Sequence, residues 1–158
     1  MGRNIVLAVA ACCWAVGPVP AVEKKTEGPA AGAQLTGSYR VVGGEKSGMK
    51  IAEDRLHAVT VRVTDNVITT FDRKQQEVYA ATFELDTSKK PWKITMTATR
   101  APAGGNGAKA QGLVEVNGDT VRLIYAPPGA DAPTQFITAE GQQMFVLKKD
   151  NPARGARP

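Results

Sequence analysis

Few residues of this chain have the types and spacing to do chemistry, and they are scattered. The 158 residues include one histidine and two cysteines. His57 lies about one helical turn after Glu53 and Asp54. Either carboxylate could orient its imidazole, but general-base work also needs a substrate proton or a nucleophile in reach. A surface or helix-capping role is the expectation. Gly104-Gly105-Asn106-Gly107-Ala108-Lys109 is glycine-rich and basic. A phosphate-cradling loop needs Ser or Thr after its lysine and a helix after that. Here neither follows, so the segment reads as a mobile loop. Glu84 and Asp86 stand at i and i+2. Glycoside hydrolysis needs two carboxylates flanking a cleft, whereas an i, i+2 pair on a strand shares one wet face. They are expected to face solvent opposite Lys93 or Arg100, and Glu115 and Asp119 read in the same way. Lys89, Lys90 and Lys93 surround Trp92, the arrangement of a glycan or nucleic-acid contact; Trp92 is expected instead to cap one end of the fold. One histidine and two adjacent cysteines are too few for an ordinary zinc site. No catalytic, cofactor or metal residue is assigned, and the chain is expected not to be an enzyme.

The elements that position these residues begin after a leader. Arg3 is the only charge before Glu23, Ile5 to Gly17 is uncharged, and Val19 and Ala21 are small or β-branched residues at −3 and −1 of a cleavage site. Residues 1–21 therefore read as a secretory signal peptide, too short to span a bilayer. Cys12 and Cys13 both leave with it, which removes any disulfide framework from the mature chain. A second reading stands beside this one. Val9-Ala10-Ala11-Cys12 has the form of a lipobox, which would acylate Cys12 and anchor the protein to a membrane. Residues 22–33 read as a flexible linker, 34–149 as one domain, and 150–158 as a disordered basic tail.

Within the domain, hydrophobicity alternates with period two. Ile94, Met96 and Ala98 oppose Lys93, Thr95, Thr97 and Thr99; Val59, Val61 and Val63 oppose Thr60, Arg62 and Thr64; Val121, Leu123 and Tyr125 oppose Arg122 and Ile124. One apolar and one wet face is the pattern of antiparallel strands. Strands are expected over 35–42, 58–64, 67–71, 78–86, 93–100, 111–117, 120–126 and 143–148. Asp65-Asn66 and Asn117-Gly118 supply tight hairpins, the second of type I′. A short helix is expected over Lys50–Leu56. Eight consecutive strands with short links predict an all-β, eight-stranded antiparallel up-and-down barrel with one short helix after strand one.

These residues carry a resemblance. Leu35-Thr36-Gly37-Ser38-Tyr39-Arg40-Val41-Val42, Phe83 to Pro91, and Asn117 to Gly129 with Val146-Leu147-Lys148-Lys149 are similar to motifs of the planctomycete lipocalin-like domain family. The resemblance implies a lipocalin-like fold and export, and transfers no catalytic residue. Gly37-x-Tyr39 is also similar to the lipocalin Gly-x-Trp motif. That likeness implies closure of the barrel base by Gly37 and Tyr39 under a basic residue of the last strand, with Lys148 as the cation–π partner.

An eight-stranded barrel is just wide enough to be filled by side chains or to hold one small ligand. Val61, Val63, Phe83, Met96, Val114, Leu123 and Tyr125 are the candidate ligand-lining residues. Two functions follow. The chain is either an exported binding module for a small apolar or amphipathic ligand, or a structural or interaction protein of the cell envelope with a filled core. The location is expected to be periplasmic or secreted, with membrane attachment only if Cys12 is acylated. A net charge of +5, reduced by one when Arg3 is removed, is no argument for a nucleic-acid partner.

Overall fold

The computed structural model describes residues 29–102 and 105–150. Helix α1 (Pro29–Leu35) precedes strand β1 (Gly37–Lys46), the two-residue β2 (Met49–Lys50) and helix α2 (Glu53–Leu56). Then come β3 (Thr60–Thr64), β4 (Val67–Phe71), β5 (Glu77–Asp86), β6 (Trp92–Arg100), β7 (Lys109–Asn117), β8 (Thr120–Ala126) and β9 (Gln143–Lys149). Every strand pairs antiparallel with its neighbour, and β9 returns to pair with β1. The short β2 hangs from β1 outside the ring. The domain is therefore a closed eight-stranded antiparallel barrel, which leaves no long sheet edge unpaired among the described residues.

The alternation seen in the sequence sets the inside of the barrel. Ile94, Met96 and Ala98 are 1%, 2% and 5% exposed. Across the β5–β6 ladder Leu85 faces Ile94, Phe83 faces Met96, and Ala81 faces Ala98. A one-residue slip would turn each of these side chains to solvent, so the apolar face fixes the register. Gly112 lies opposite Tyr125. A Cβ at Gly112 would stand 2.1 Å from the Ile124 carbonyl oxygen, so β7 and β8 can approach here only without a side chain.

Strand direction defines two ends. Gly37, the hairpin turns at 65–66 and 118–119, and α1 lie at the base. Leu35 of α1 is buried, and the buried Tyr39 hydroxyl donates to its carbonyl at 2.7 Å. That bond satisfies one of the carbonyls a helix C-terminus leaves unpaired and fixes α1 across the base. At the opposite end stand the β1–β2 hairpin, α2, the 72–76 turn, the β6–β7 connection and the long β8–β9 connection.

Several expectations change. The last five residues assigned to a flexible linker, 29–33, are helical, with Pro29 at the first turn where its missing N–H costs nothing. Strand one runs on to Lys46, because a bulge between Val41 and Gly43 carries the ladder past the Gly43-Gly44 pair. The helix expected over Lys50–Leu56 is only Glu53–Leu56, since Lys50 is taken up by β2. Asn117 is a strand residue paired with Thr120, and Gly118 has φ 58° while Asp119 has no positive φ. The hairpin therefore lacks the two positive φ values of a type I′ turn. Cys12, Cys13, the leader and the tail at 151–158 lie outside the described residues.

The β8–β9 connection, residues 127–142, forms a strap over the outside of the barrel. Gln142, 5% exposed, accepts a bond from the Ala139 N–H and donates to the Asp131 carbonyl, both at 2.9 Å. The Thr138 hydroxyl accepts from the Gly48 N–H at 2.9 Å, and the Gly141 N–H donates to Ser47 Oγ at 3.1 Å. Phe136 receives the Arg122 guanidinium 4.5 Å above its ring. Ile124, expected on the wet face, is consequently 0% exposed, and its cross-strand neighbour Leu113 is 6% exposed.

Candidate functional site

Among the candidate lining residues, Val61, Val63, Phe83, Met96, Val114 and Leu123 are between 2% and 8% exposed. A void that admitted water would leave solvent-accessible surface on its walls. These six side chains therefore fill the barrel at their level instead of walling an open space. Tyr125, the seventh, retains partial exposure.

Half-buried inward side chains occur at both ends: Leu85, Trp92 and Val116 toward the base, and a larger group at the end opposite α1. Ile51, Val59, Tyr79, Tyr125 and Phe145 are half-buried and pack on the core. Thr70 lies opposite Tyr79, and Gln143 opposite Tyr125, on the same inner face. Ala81, Ala98 and Ala110, inward on β5, β6 and β7, are buried and small. These residues make this the less tightly filled end of the barrel, the cup end. Part of its mouth is covered, because a Cβ on Gly44 would lie 3.2 Å from Ile51, Leu56 and Phe145 alike. Arg73 of the 72–76 turn also donates to the Asp54 carbonyl of α2.

The inward polar side chains Thr70, Tyr79, Tyr125 and Gln143 are uncharged, while the exposed Lys46 lies opposite Gln143 at the mouth. The Tyr125 hydroxyl donates to Gln143 Oε1 at 3.5 Å, and its ring stacks on Phe145 with centroids 6.3 Å apart. Burial pushes the Tyr125 phenol up to about 12, and the neighbouring Tyr79 phenol adds to the rise. Burial also lifts the Tyr79 phenol above its ordinary value. Both phenols stay neutral donors through the physiological range.

At the base, Tyr39 pairs with Lys149, while Lys148 lies opposite Arg40 on the outer face and is exposed. Lys149, and not Lys148, is thus the basic residue beside Tyr39, a shift of one position that reverses the face. Gly37 has φ 151°, and a Cβ there would come within 2.8 Å of Lys149 Cε, so its glycine admits that side chain.

The remaining residues sit on the surface. His57 is exposed and lies 3.6 Å from Glu53. Asp86 lies opposite Lys93; bonds from Ser88, with help from Lys93 and Lys89, hold its carboxyl below the usual range. Glu84 lies opposite Thr95, and Arg100 pairs with Glu77 at 3.8 Å. Glu115 pairs across the hairpin with Arg122 at 3.4 Å. Trp92 is half-buried against the core at the base end. Of the glycine-rich loop, Gly104 lies outside the described residues, and the Ala101 N–H donates to Asn106 Oδ1 at 2.9 Å. Among the described residues no acidic, histidine or cysteine cluster could hold a metal ion, and no helix is long and apolar enough to cross a membrane. No protein-family model matches the chain, and no curated protein matches it.

The cup was not legible as a site, because Tyr79, Gln143 and Phe145 carry no motif. The signal available was the run of small inward residues, Ala81, Ala98 and Ala110, at the same end of three strands.

Proposed function

We propose that this protein is an exported, lipocalin-like binding module that takes a small ligand with an apolar body at the cup end of its barrel. The observation that carries this reading is the asymmetry of the two ends. One end is closed by α1, Leu35 and Tyr39. The other gathers half-buried aromatic and aliphatic side chains above a floor of alanines. Concave, mainly apolar surfaces with a few placed polar groups are the usual form of small-ligand sites. Export rests on the charge-free Ile5–Gly17 run and the residues that follow it. The resemblance of Leu35–Val42 and Asn117–Gly129 to planctomycete lipocalin-like domains supports the same assignment. No residue is assigned a catalytic role.

The filled lower barrel favours a second reading, a structural or interaction protein of the cell envelope whose contacts are made by its outer surface. Native mass spectrometry of the full chain expressed with its leader and recovered from the exported fraction separates the two. A mass beginning at Val22, or at an acylated Cys12, with a retained small molecule supports the binding reading. An intact leader in the cytosol contradicts export. An exported protein that carries no small molecule, and takes up none from a lipid extract, favours the second reading.

A further inference from the structure

We infer that Asn117 is a site of spontaneous covalent modification: in the folded protein its side-chain amide converts to an acid, while the same pair of residues at Asn106-Gly107 is protected. The inference goes beyond the binding reading and does not depend on any ligand.

The chain holds two Asn-Gly pairs, Asn106-Gly107 and Asn117-Gly118. A following glycine has no side chain to shield its backbone nitrogen. That nitrogen loses its proton to solvent and attacks Cγ of the asparagine. A C–N bond forms, the Cγ–Nδ2 bond breaks, ammonia leaves, and a succinimide ring remains. Water then opens the ring at one of its two carbonyls, which leaves either an aspartyl or an isoaspartyl linkage. Solvent water is the one co-reactant, and nothing is oxidised or reduced.

Both asparagines and both glycines are exposed, so access to water does not separate the pairs. Hydrogen bonding does. Cyclisation turns the peptide after the asparagine toward its own side chain, so bonds held by the reacting groups must open first. At Asn106 both groups are engaged. The Gly107 N–H donates to the Ala98 carbonyl at 2.7 Å, and Oδ1 of Asn106 accepts from the Ala101 N–H at 2.9 Å. The Ala108 N–H donates to the Gly105 carbonyl at 3.2 Å and closes the turn around them. At Asn117, among the described residues, neither the Gly118 N–H nor the Asn117 carboxamide has a hydrogen-bond partner. Asn117 is tied only by its pairing with Thr120, the last rung of the β7–β8 ladder beside the turn, and such end rungs open most readily. The Lys149 N–H holds the Asp119 carbonyl at 2.7 Å, which lies beyond the peptide that must turn. Each native hydrogen bond that has to open slows such a step by about two- to tenfold. Conversion places a carboxylate two residues before Asp119, and the isoaspartyl form adds a methylene to the main chain of the hairpin at the base.

The test is tryptic peptide mapping of the full chain after incubation in mildly alkaline buffer, once folded and once unfolded in urea. Cleavage after Arg100, Lys109 and Arg122 places Asn106 and Asn117 in separate peptides, and each is read for the mass gain of an amide-to-acid exchange. In the folded protein Asn117 is expected to convert about tenfold or more faster than Asn106. In the unfolded chain the two rates are expected to be similar. Conversion of Asn106 as fast as Asn117 in the folded protein overturns the inference. So does an unchanged Asn117 in the folded protein over a period in which the unfolded chain converts.

Discussion

The chain contains three tyrosines, and burial raises the phenol of each above its ordinary value. This makes the alkaline limb of stability an internal probe of the barrel. Tyr125 carries the largest effect, from 10.0 to about 12. The folded barrel holds the proton more tightly than the unfolded chain does. Below pH 10 both states are protonated and the contribution is fully present. As pH rises from about 10 to about 12 the unfolded state ionises first, and stability falls. Two units at about 1.36 kcal/mol each give a loss of roughly 2–3 kcal/mol from this residue alone. Urea unfolding followed by circular dichroism across this window, in the wild type and in Tyr125→Phe, isolates the effect, because lysine deprotonation and the other two tyrosines are common to both. The wild type should lose roughly 2–3 kcal/mol more than the variant between the two ends of the window. Phenolate absorbance of the folded protein should rise late, with no tyrosine titrating near the ordinary value. Parallel loss in the two proteins, or ordinary titration of Tyr125, would refute the placement of this side chain in the cup.

Other perturbations test the base, the strap and the barrel wall. Tyr39→Phe orphans the buried Leu35 carbonyl and should cost about 1–3 kcal/mol in denaturant unfolding, with faster amide exchange in α1 than elsewhere. Gln142→Ala removes two part-buried side-chain bonds of the strap; a loss of about 1–3 kcal/mol is expected, with new protease cleavage confined to residues 127–142. Gly112→Ala places a Cβ 2.1 Å from a backbone oxygen of the paired strand and should exceed the usual ~1–3 kcal/mol of overpacking, read as a fall in melting temperature far larger than that of Gly43→Ala, whose Cβ would make only ordinary van der Waals contact with Val146 at 3.5 Å.

The barrel was legible because its strands repeat one simple signal. Lys93 to Thr99 alternates without a break, and the structure buries Ile94, Met96 and Ala98 as that pattern requires. Legibility failed where geometry depends on something other than alternation. Gly43-Gly44 looks like the end of a strand, but a bulge continues the ladder through it. Residues 29–33 are poor in charge and periodicity, and their helix is set by the packing of Leu35 and the Tyr39 bond, both tertiary. Ile124 falls on the outward register and is buried because the strap covers it, a contact between segments far apart in register. Lys148 and Lys149 are adjacent in sequence and opposite in space. Whether the barrel interior is filled or open depends on how side-chain volumes meet across eight strands, which no single strand discloses.

The central claim is that a small apolar-bodied ligand sits at the cup end of this barrel. Backbone amide chemical shifts of the labelled full chain, followed during titration with 1-decanol, test it most directly. Saturable shifts are expected, concentrated at Val59, Thr70, Tyr79, Ala98, Ala110, Tyr125 and Gln143, with the base around Leu35 and the strap at Thr138 unmoved. An unchanged spectrum at saturating decanol, or shifts confined to the base or the outer surface, would contradict it.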